Sequence, residues 1–254
     1  MTPPIVSCLM PTYGRFPQFG HLVDEAVESF LRQDYPHKQL ILMNDCPSQH
    51  VTLPEELEAE PIFIINAQQR SKTLGDKYNL MVIMATGDLL MPWEDDDISL
   101  PHRISKSVEC IGDADYYNPQ QSWFLDGRGL HLDHSHGVCH NASIFSRQAW
   151  TKVGGYPSVS GPQDAQMDGK LKRAGDVSDA PTLTSPEDWW YIYRWGVSDI
   201  HLSAYADTQA AWDAHGERDV EEGAFELTPS WRGDYAAKCA EMVAAHKQNP
   251  QVRN

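Results

Sequence analysis

Short, uninterrupted apolar runs alternate with amphipathic segments over the first 110 residues of the chain. Runs of this length are typical of strands that are buried on both faces of a parallel sheet. In the segments between them, apolar residues recur every three or four positions, which is typical of helices. The pattern predicts strands at 5–10, 39–43, 62–65 and 88–91, and helices at 19–33, 73–85 and 101–111. This order of elements predicts parallel βαβ units with helices packed against the sheet.

The helix predicted over residues 73–85 has five apolar side chains that we expect to face the sheet. They are Leu74, Leu80, Met81, Ile83 and Met84. Gly87 follows shortly after the helix, at a position where a left-handed glycine commonly ends a helix. We therefore expect the helix to be anchored through its apolar face and closed by Gly87.

The rest of the chain has a less regular pattern. It predicts short strands at 116–117, 123–125, 130–132 and 191–195, and helices at 147–153, 164–173 and 235–248. Neither an internal repeat nor a low-complexity linker interrupts it. We therefore expect one α/β domain over residues 1–254, with a regular half at 1–110, an irregular half at 111–215 and a C-terminal helical extension at 216–254.

Composition and charge restrict the class of protein. Hydrophobic residues make up 41% of the 254, which is enough for a full core and excludes a disordered chain. The 36 acidic and 20 basic side chains give a net charge of −16, which argues against binding to nucleic acid or to an anionic membrane. The chain has no apolar run of the roughly 18 residues that a membrane span needs. No secretory leader is recognisable, and the five cysteines form no CxxC pair. These features predict a cytoplasmic protein with reduced thiols and without a membrane span.

Four consecutive acids, Glu94-Asp95-Asp96-Asp97, follow the strand predicted at 88–91. In open α/β sheets ligands bind beyond the carboxyl ends of the strands, so these side chains would lie at such a site. A divalent cation would relieve their mutual repulsion, and carboxylate oxygens suit Mg²⁺ or Mn²⁺. The alternative is a solvated acidic turn. The position after a buried strand and beside Trp93 favours the metal site.

Seven segments of the chain carry a pattern that occurs, in the same order, in one known family. They are Pro11-Thr12-Tyr13-Gly14-Arg15, Asn44-Asp45, Gly75-Asp76-Lys77-Tyr78-Asn79, Ala85-Thr86-Gly87-Asp88, Glu94-Asp95-Asp96-Asp97, Val153-Gly154-Gly155-Tyr156, and Gln163-Asp164 with Met167 and Lys170. Over about residues 5–205 the chain resembles the family-2 glycosyltransferases of the GT-A fold, whose DxD-type motif ends a strand in the same way. Three positions depart from the family pattern: Asn44 and Gln163 replace acids, and Glu94 replaces an Asp.

The resemblance implies a Rossmann-like α/β fold with a mixed, mainly parallel sheet flanked by helices. Residues 1–110 would form the nucleotide-sugar-binding half, and residues 111–215 the acceptor and catalytic half. The implied activity is the transfer of a sugar from a nucleotide-sugar, with a UDP-sugar as the expected donor, to an acceptor hydroxyl with inversion at the anomeric carbon. Mn²⁺ or Mg²⁺ is the implied cofactor. The sequence identifies neither the sugar nor the acceptor.

The resemblance also implies roles for individual residues. Those implied to bind the nucleotide-sugar are Pro11, Thr12, Tyr13, Arg15, Asp45, Lys77, Glu94 and Asp95. Asp96 and His201 are the implied metal ligands, and Asp164 is the implied general base. Structural alternatives remain open: the segment after the first strand could be a plain turn, Lys77 a solvated helix residue, and Asp164 a helix N-cap.

Three other interpretations also remain open. The side chains of His131, His134, His136, Cys139 and His140 could form a transition-metal site, although their spacing matches no standard zinc site. The chain could be a catalytically inactive GT-A domain that binds carbohydrate or nucleotide, or a sugar nucleotidyltransferase. The single glycine between Pro11 and Arg15 disfavours the nucleotidyltransferase. A dehydrogenase is disfavoured because no GxGxxG segment follows any predicted strand.

Overall fold

The first half of the chain folds into the strands and helices that the hydrophobic pattern predicts. The computed structural model describes residues 2–133, 140–180, 183, 185–196, 208–217 and 219–248. The elements of the first half are β1 (Val6–Thr12), α1 (Gly20–Leu31), β2 (Lys38–Asn44), β3 (Gln49–Thr52), a 3₁₀ helix (Glu55–Leu57), β4 (Ile62–Asn66), α2 (Leu74–Met84), β5 (Leu89–Pro92), β6 (Ile98–Ser99) and α3 (Arg103–Ile111). The predicted strands and helices of this half are all present, and β3 and β6 are additional to them.

The second half contains the predicted elements and, besides two 3₁₀ helices, three further ones. Its elements are β7 (Tyr116–Tyr117), β8 (Ser122–Asp126), β9 (Gly129–Asp133), β10 (Ile144–Ser146), α4 (Arg147–Lys152), α5 (Gln163–Ala174), β11 (Tyr191–Arg194), α6 (Thr208–Glu217), β12 (Gly223–Glu226) and α7 (Tyr235–Gln248), with 3₁₀ helices at His140–Ala142 and Pro186–Asp188. The elements that the pattern did not predict are β10, α6 and β12. Within the described ranges, no helix combines the length and the apolar character that a membrane crossing requires.

A six-stranded sheet in the order β4-β2-β1-β5-β10-β7 forms the centre of the fold. Strands β4, β2, β1 and β5 are parallel, whereas β10 runs antiparallel to both of its neighbours. The register pairs Thr12 with Asn44, so that β1 and β2 end side by side. Because parallel strands end at the same edge of a sheet, the loops after β1, β2 and β5 meet there. The mixed, mainly parallel sheet flanked by helices is thereby confirmed.

Two smaller sheets bring later parts of the chain close to these loops. Strands β6, β11, β8 and β9 form a four-stranded sheet in that order. Within it β11 pairs with β6, which directly follows the four acids, through Tyr191 and Ser99. Strand β12 pairs in parallel with β3, so that Gly223 lies opposite Gln49. The C-terminal third therefore packs against the half of the chain that carries most of the predicted site.

Apolar side chains cover both faces of the central sheet. On one face α1 contributes Val23 and Phe30, and α7 adds Cys239 to the same layer. On the other face α2 contributes Met81 and Val82. Burial on both faces explains why the predicted strands read as uninterrupted apolar runs.

The face that α2 turns inward differs from the predicted one. Met81 is buried as predicted, whereas Leu80, Ile83 and Met84 are 46%, 67% and 59% exposed. The buried side of the helix includes Lys77 and Tyr78 instead. Both of these residues form hydrogen bonds with carboxylates at the strand ends, and these contacts fix the rotation of the helix about its axis. Hydrophobicity alone favours Leu80, Ile83 and Met84 as the inward side chains, and it gives no sign of the hydrogen bonds of Lys77 and Tyr78.

The predicted left-handed conformation of Gly87 is wrong. The helix ends at Met84 with Ala85 as its cap, and Gly87 is not among the glycines with a positive φ. A Cβ atom at Gly87 would lie 2.6 Å from the carbonyl oxygen of Ile5 and 2.9 Å from the backbone nitrogen of Ser7. Glycine is needed here because the segment passes so close to the start of β1.

We predict that Gly87→Ala lowers the free energy of unfolding by about 2 kcal/mol, because the added methyl group forces the backbone of β1 to move. Gly127→Ala is the matched control, since a Cβ there meets nothing within 4 Å and the residue lies in an exposed turn. We expect the control to change stability by less than about 0.5 kcal/mol. Urea unfolding followed by circular dichroism measures both, and equal effects would contradict the close-approach explanation.

Candidate functional site

The loops after β1 and β5 and the N-terminal ends of α2 and α5 surround a cleft at the carboxyl edge of the central sheet. The predicted site residues that line this cleft are Pro11, Thr12, Tyr13, Arg15, Lys77, Glu94, Asp95, Asp96 and Asp164. Asp45 is fully buried and lies behind the lining, in contact with Lys77. His201 lies outside the described residues. The structure therefore brings together nearly all of the residues that the resemblance selected.

Residues of α6 also line the cleft, and the sequence analysis did not identify them. They are Trp212 and His215. The guanidinium of Arg70 lies 4.0 Å from the ring centroid of Trp212 and 4.5 Å from that of Tyr13. The hydroxyl of Tyr13 donates to the carbonyl of Gly216 at 3.2 Å. Helix α6 thus covers the end of the cleft at Tyr13, and Trp212, isolated among small and polar residues, was the one sequence signal for it.

Lys77 and Asp45 form a buried ion pair at the ends of β1 and β2. The Nζ atom of Lys77 lies 2.5 Å from Oδ1 of Asp45 and donates to the carbonyl of Thr12 at 2.7 Å. The backbone N–H of Ser71 donates to Oδ2 of Asp45 at 2.9 Å. Burial lowers the pKa of Lys77, and the Asp45 carboxylate opposes this shift. Lys77 is therefore a buried cation at the base of the cleft rather than a solvated helix residue.

Each carboxylate of the acid segment, residues 94–97, has a protein partner. Arg15 binds Asp95 through two hydrogen bonds, of 2.9 Å from Nε and 2.6 Å from Nη2. Its Nη2 also lies 2.8 Å from Oδ2 of Asp96. The remaining two acids lie at the ends of the segment: Tyr78 donates to Glu94 at 2.5 Å, and the backbone N–H of Arg194 donates to Asp97 at 2.7 Å. The acid segment is thus an ordered part of the fold and not a solvated turn.

Burial is the largest single influence on the pKa values of Glu94, Asp95 and Asp97. It raises the pKa of Glu94 to about 8, and the neighbouring Asp96, Asp97 and Asp95 add to the rise. Burial and the adjacent Asp96 also raise the pKa of Asp97 above its ordinary value. For Asp95 the burial effect is outweighed by the charge and hydrogen bonds of Arg15, which lower its pKa. The segment therefore produces a negative potential that attracts a cation or a proton.

The donor chemistry of the acid segment fits a divalent ion that is shared with a ligand. No cluster of three His, Cys, Asp or Glu side chains in the part of the chain that the structure describes could enclose an ion. Asp96 nevertheless lines the cleft, and its Oδ1 accepts no hydrogen bond from a described residue. Mg²⁺ and Mn²⁺ are commonly held by one or two carboxylates together with water and substrate phosphates. Asp96 fits that kind of site.

Asp164 lines the same cleft as the acid segment. It lies in the first turn of α5, after Pro162 as the N-cap, so the N-cap interpretation of Asp164 is wrong. Its Oδ1 accepts a hydrogen bond from the backbone N–H of Ala165 at 2.6 Å. Burial raises the pKa of Asp164 above its ordinary value. A carboxylate of raised pKa beside a cleft suits a general base.

Two buried polar atoms of cleft-lining residues have no hydrogen-bond partner among the described residues. They are Oγ1 of Thr12 and Oε1 of Gln163. Leaving a buried polar atom unpaired costs about 1–3 kcal/mol, so native proteins rarely do so without a reason. Both residues line the cleft, but neither of these two atoms is itself exposed to it.

Arg194 connects the acid segment to the C-terminal part of the chain. Its side chain donates from Nε to the carbonyl of Asp96, and its Nη1 lies 2.5 Å from Oε2 of Glu25 on α1. The other oxygen of Glu25 accepts hydrogen bonds from the hydroxyl of Tyr235 at 2.6 Å and from the backbone N–H of Arg232 at 2.9 Å. Helix α1 therefore supplies Glu25, and helix α7 supplies Tyr235, to the chain of contacts that holds Arg194 against the acid segment.

The described members of the histidine group have structural partners. His140 is buried between Tyr156, 2.9 Å from its Nε2, and Ser143, 3.1 Å from its Nδ1. Burial lowers the pKa of His140 to about 4, so it is neutral. His131 lies on β9 near Arg128. His134, His136 and Cys139 lie outside the described residues, so the metal-site hypothesis for this group stays a prediction.

Comparisons with known sequences agree with the resemblance noted from the motifs. The model of the family described as "Glycosyl transferase family 2" matches residues 7–153, more than half of the chain. The "Uncharacterized glycosyltransferase YwdF" of Bacillus subtilis (strain 168) is 31% identical over 111 residues, which cover 44% of this chain and 40% of that protein. The "Putative colanic acid biosynthesis glycosyl transferase WcaA" of Escherichia coli (strain K12) is 30% identical over 105 residues, 40% of this chain and 36% of that protein. The match thus spans about two fifths of each relative's length.

Solved structures with the same fold contain nucleotide-sugars. TarS 1–349 of S. aureus, in complex with UDP-GlcNAc, superposes with a TM-score of 0.63 at 15% identity and covers 96% of this chain and 73% of that one. The mannosyltransferase PcManGT of Pyrobaculum calidifontis, in complex with GDP-Man and Mn²⁺, gives a TM-score of 0.52 at 14% identity and covers 77% of this chain and 58% of that one. At these identities the likeness shows the fold alone.

We predict that Glu25→Gln lowers the free energy of unfolding by about 3 kcal/mol at pH 7, because it leaves Arg194 buried without its carboxylate. Burial by itself would raise the pKa of Glu25, but the Tyr235 hydrogen bond and the Arg194 charge lower it below its ordinary value of 4.5. The stability that the ionised Glu25 carboxylate contributes is therefore fully present above about pH 5. It is lost as the pH falls through the lowered pKa. The difference in the free energy of unfolding between wild type and variant should therefore become smaller in acid.

Glu28→Gln on the same helix is the control for this prediction. Glu28 pairs with Arg32, whose side chain is 49% exposed, so we expect a loss below about 0.5 kcal/mol. Denaturant unfolding at several pH values measures both variants. A Glu25→Gln effect as small as that of the control, or one that grows in acid, would contradict the proposed contribution of the buried pair.

Proposed function

This chain belongs to glycosyl transferase family 2, and on that premise we propose that it transfers a sugar from a UDP-sugar to an acceptor hydroxyl, with inversion and with a divalent metal ion. The observation that carries the proposal is that the loop after β1, the acid segment and Asp164 line one cleft. The cleft lies beyond the carboxyl ends of parallel strands, where α/β proteins bind nucleotides. Relatives of the same fold are known in complex with UDP-GlcNAc and with GDP-Man.

The nucleotide would occupy the end of the cleft formed by the loop after β1. Tyr13 lies there beneath α6 and would contact the base, and Thr12 lines the cleft next to it. Asp45 is fully buried behind the cleft lining, so it would act on the nucleotide through Lys77 rather than by direct contact with uracil. Lys77 would balance the negative charge of Asp45 and of the nearby diphosphate. Glu94, held by Tyr78, would contact the ribose.

Asp96 would hold the divalent ion together with the diphosphate of the donor, and His201 remains a predicted further ligand. When bound, the ion neutralises the charge that develops on the leaving diphosphate. Arg15 and Asp95 orient Asp96 from the side of β1. Arg194 holds the backbone of the same segment through the carbonyl of Asp96.

Asp164 would act as the general base. Its Oδ1 is held by the N–H of Ala165, which leaves Oδ2 to take the proton from the acceptor hydroxyl. The hydroxyl oxygen then forms a bond to the anomeric carbon while the bond from that carbon to the diphosphate breaks on the opposite side. A single displacement of this kind inverts the configuration at the anomeric carbon. The raised pKa of Asp164 increases its strength as a base relative to an ordinary carboxylate.

We predict that UDP with Mn²⁺ raises the melting temperature of the wild type by several degrees, and that Asp96→Ala abolishes the Mn²⁺-dependent part of this shift. Saturation at 100 times the Kd stabilises a folded protein by about 2.7 kcal/mol. Thermal unfolding with UDP, GDP and Mn²⁺, each alone and in combination, measures the shift in melting temperature. The comparison of UDP with GDP tests whether uracil is the preferred nucleobase. Asp113→Ala, which removes an exposed acid, is the control. A Mn²⁺-dependent shift that persists in Asp96→Ala would remove Asp96 from the metal site.

We predict that Asp164→Asn lowers the release of UDP from the UDP-sugar donor by about 1,000-fold, because the amide cannot accept the proton of the acceptor or of water. The affinity for UDP and Mn²⁺ should stay within about twofold of the wild type, since the proposed contacts of the nucleotide and the metal ion do not include Asp164. Coupled detection of UDP gives the rate, and calorimetric titration gives the affinity. Unchanged turnover would refute the role of Asp164 as base.

A further inference from the structure

We propose that Arg15 is the resident counter-ion of the acid segment, and that it keeps a divalent ion from binding tightly until a nucleotide diphosphate enters the cleft. This inference rests on the proposed function, because it concerns the same metal and the same nucleotide. Beyond contact with the donor, Arg15 would make tight binding of the metal ion depend on prior or simultaneous binding of the nucleotide diphosphate.

The geometry places the Arg15 guanidinium where it satisfies both aspartates at the centre of the segment. Its fork binds Asp95 through Nε and Nη2, and Nη2 also reaches Oδ2 of Asp96 at 2.8 Å. The side chain of Arg15 is only 7% exposed. One oxygen of the proposed metal ligand is therefore already occupied by a cation, while its Oδ1 accepts no hydrogen bond from a described residue.

The other charges around the cleft leave Arg15 as the cation that pairs with the acid segment in the described structure. Other buried cations among the described residues lie nearby, but Lys77 pairs with Asp45, Arg194 pairs with Glu25, and Arg103 donates to the carbonyl of Pro92. The ion pairs that the structure describes for the carboxylates of residues 94–97 are all with Arg15. Burial opposes the charge on Arg15, yet Asp95 and Asp96 raise its pKa above the ordinary value, so the guanidinium stays charged. Arg15 thus neutralises one of the segment's charges at the position that attracts the metal ion.

A divalent ion and Arg15 would repel one another if both contacted Asp96 in the absence of a ligand. In a partly buried site this repulsion is screened far less than in water. A diphosphate brings further negative charge and oxygen ligands to the ion, which offsets the repulsion. By thermodynamic linkage, the nucleotide and the metal ion should then each increase the affinity for the other by the same factor.

The test measures Mn²⁺ binding directly, from the loss of the electron paramagnetic resonance signal of free Mn²⁺. We expect wild type to bind Mn²⁺ weakly alone and at least about tenfold more tightly with saturating UDP. We expect Arg15→Gln to bind Mn²⁺ without UDP about tenfold more tightly than wild type, because the competing charge is gone. Arg15→Lys keeps the charge and should bind like wild type. Arg32→Gln, on the exposed pair with Glu28, is the control for loss of an arginine elsewhere.

A second arm uses wild type alone and does not depend on the folding of any variant. Uridine, which lacks the diphosphate, should leave Mn²⁺ binding unchanged, whereas UDP should promote it. Equal promotion by uridine, or equal Mn²⁺ affinity of wild type and folded Arg15→Gln, would overturn the role of Arg15. Failure of the proposed function is distinguishable, because then wild type would bind Mn²⁺ no better with UDP than without it, and calorimetry would show whether UDP binds at all. That result would also remove the basis of this inference.

Discussion

Buried pairing of opposite charges at the carboxyl edge of the sheet is the constraint on which the rest of this structure depends. Among the described residues four buried ion pairs meet there: Arg15 with Asp95 and with Asp96, Lys77 with Asp45, and Arg194 with Glu25. Removing charges from water is costly, and a buried pair is stable only if both partners are held in place. Each pair joins two different segments, so the loop after β1, the acid segment, α1 and α2 fix one another's positions.

This arrangement explains why elements far from the cleft contribute to it. The hydroxyl of Tyr235 on α7 holds Glu25, Glu25 holds Arg194, and Arg194 holds the backbone of Asp96. The C-terminal helix therefore supports the acid segment through two intermediates without touching the cleft. A site whose dipoles and charges are fixed before the ligand arrives has little reorganisation to undergo during the reaction.

The differences between expectation and structure share one cause. Helix α2 was expected to bury Leu80, Ile83 and Met84, but its rotation follows the polar contacts of Lys77 and Tyr78. Gly87 was expected to adopt a left-handed conformation, but its requirement comes from the neighbouring start of β1. In each case the local pattern was read correctly as helix or helix end, and a contact distant in sequence decided the detail. Hydrophobic periodicity contains no information about such contacts.

The sequence by itself determined the class of fold and most of the charged residues of the cleft. The apolar runs and their spacing are consequences of burial on both faces of a parallel sheet, and the motif segments follow the strands whose ends must meet. The tertiary structure alone decided which charges pair, that Lys77 is buried, that Asp164 is not an N-cap, and that Trp212 and His215 of α6 close the cleft. These features depend on distances between segments more than two hundred residues apart in some cases, such as the 203 positions between Tyr13 and Gly216. Such distances are set by the packing of the whole chain and not by any local run of residues.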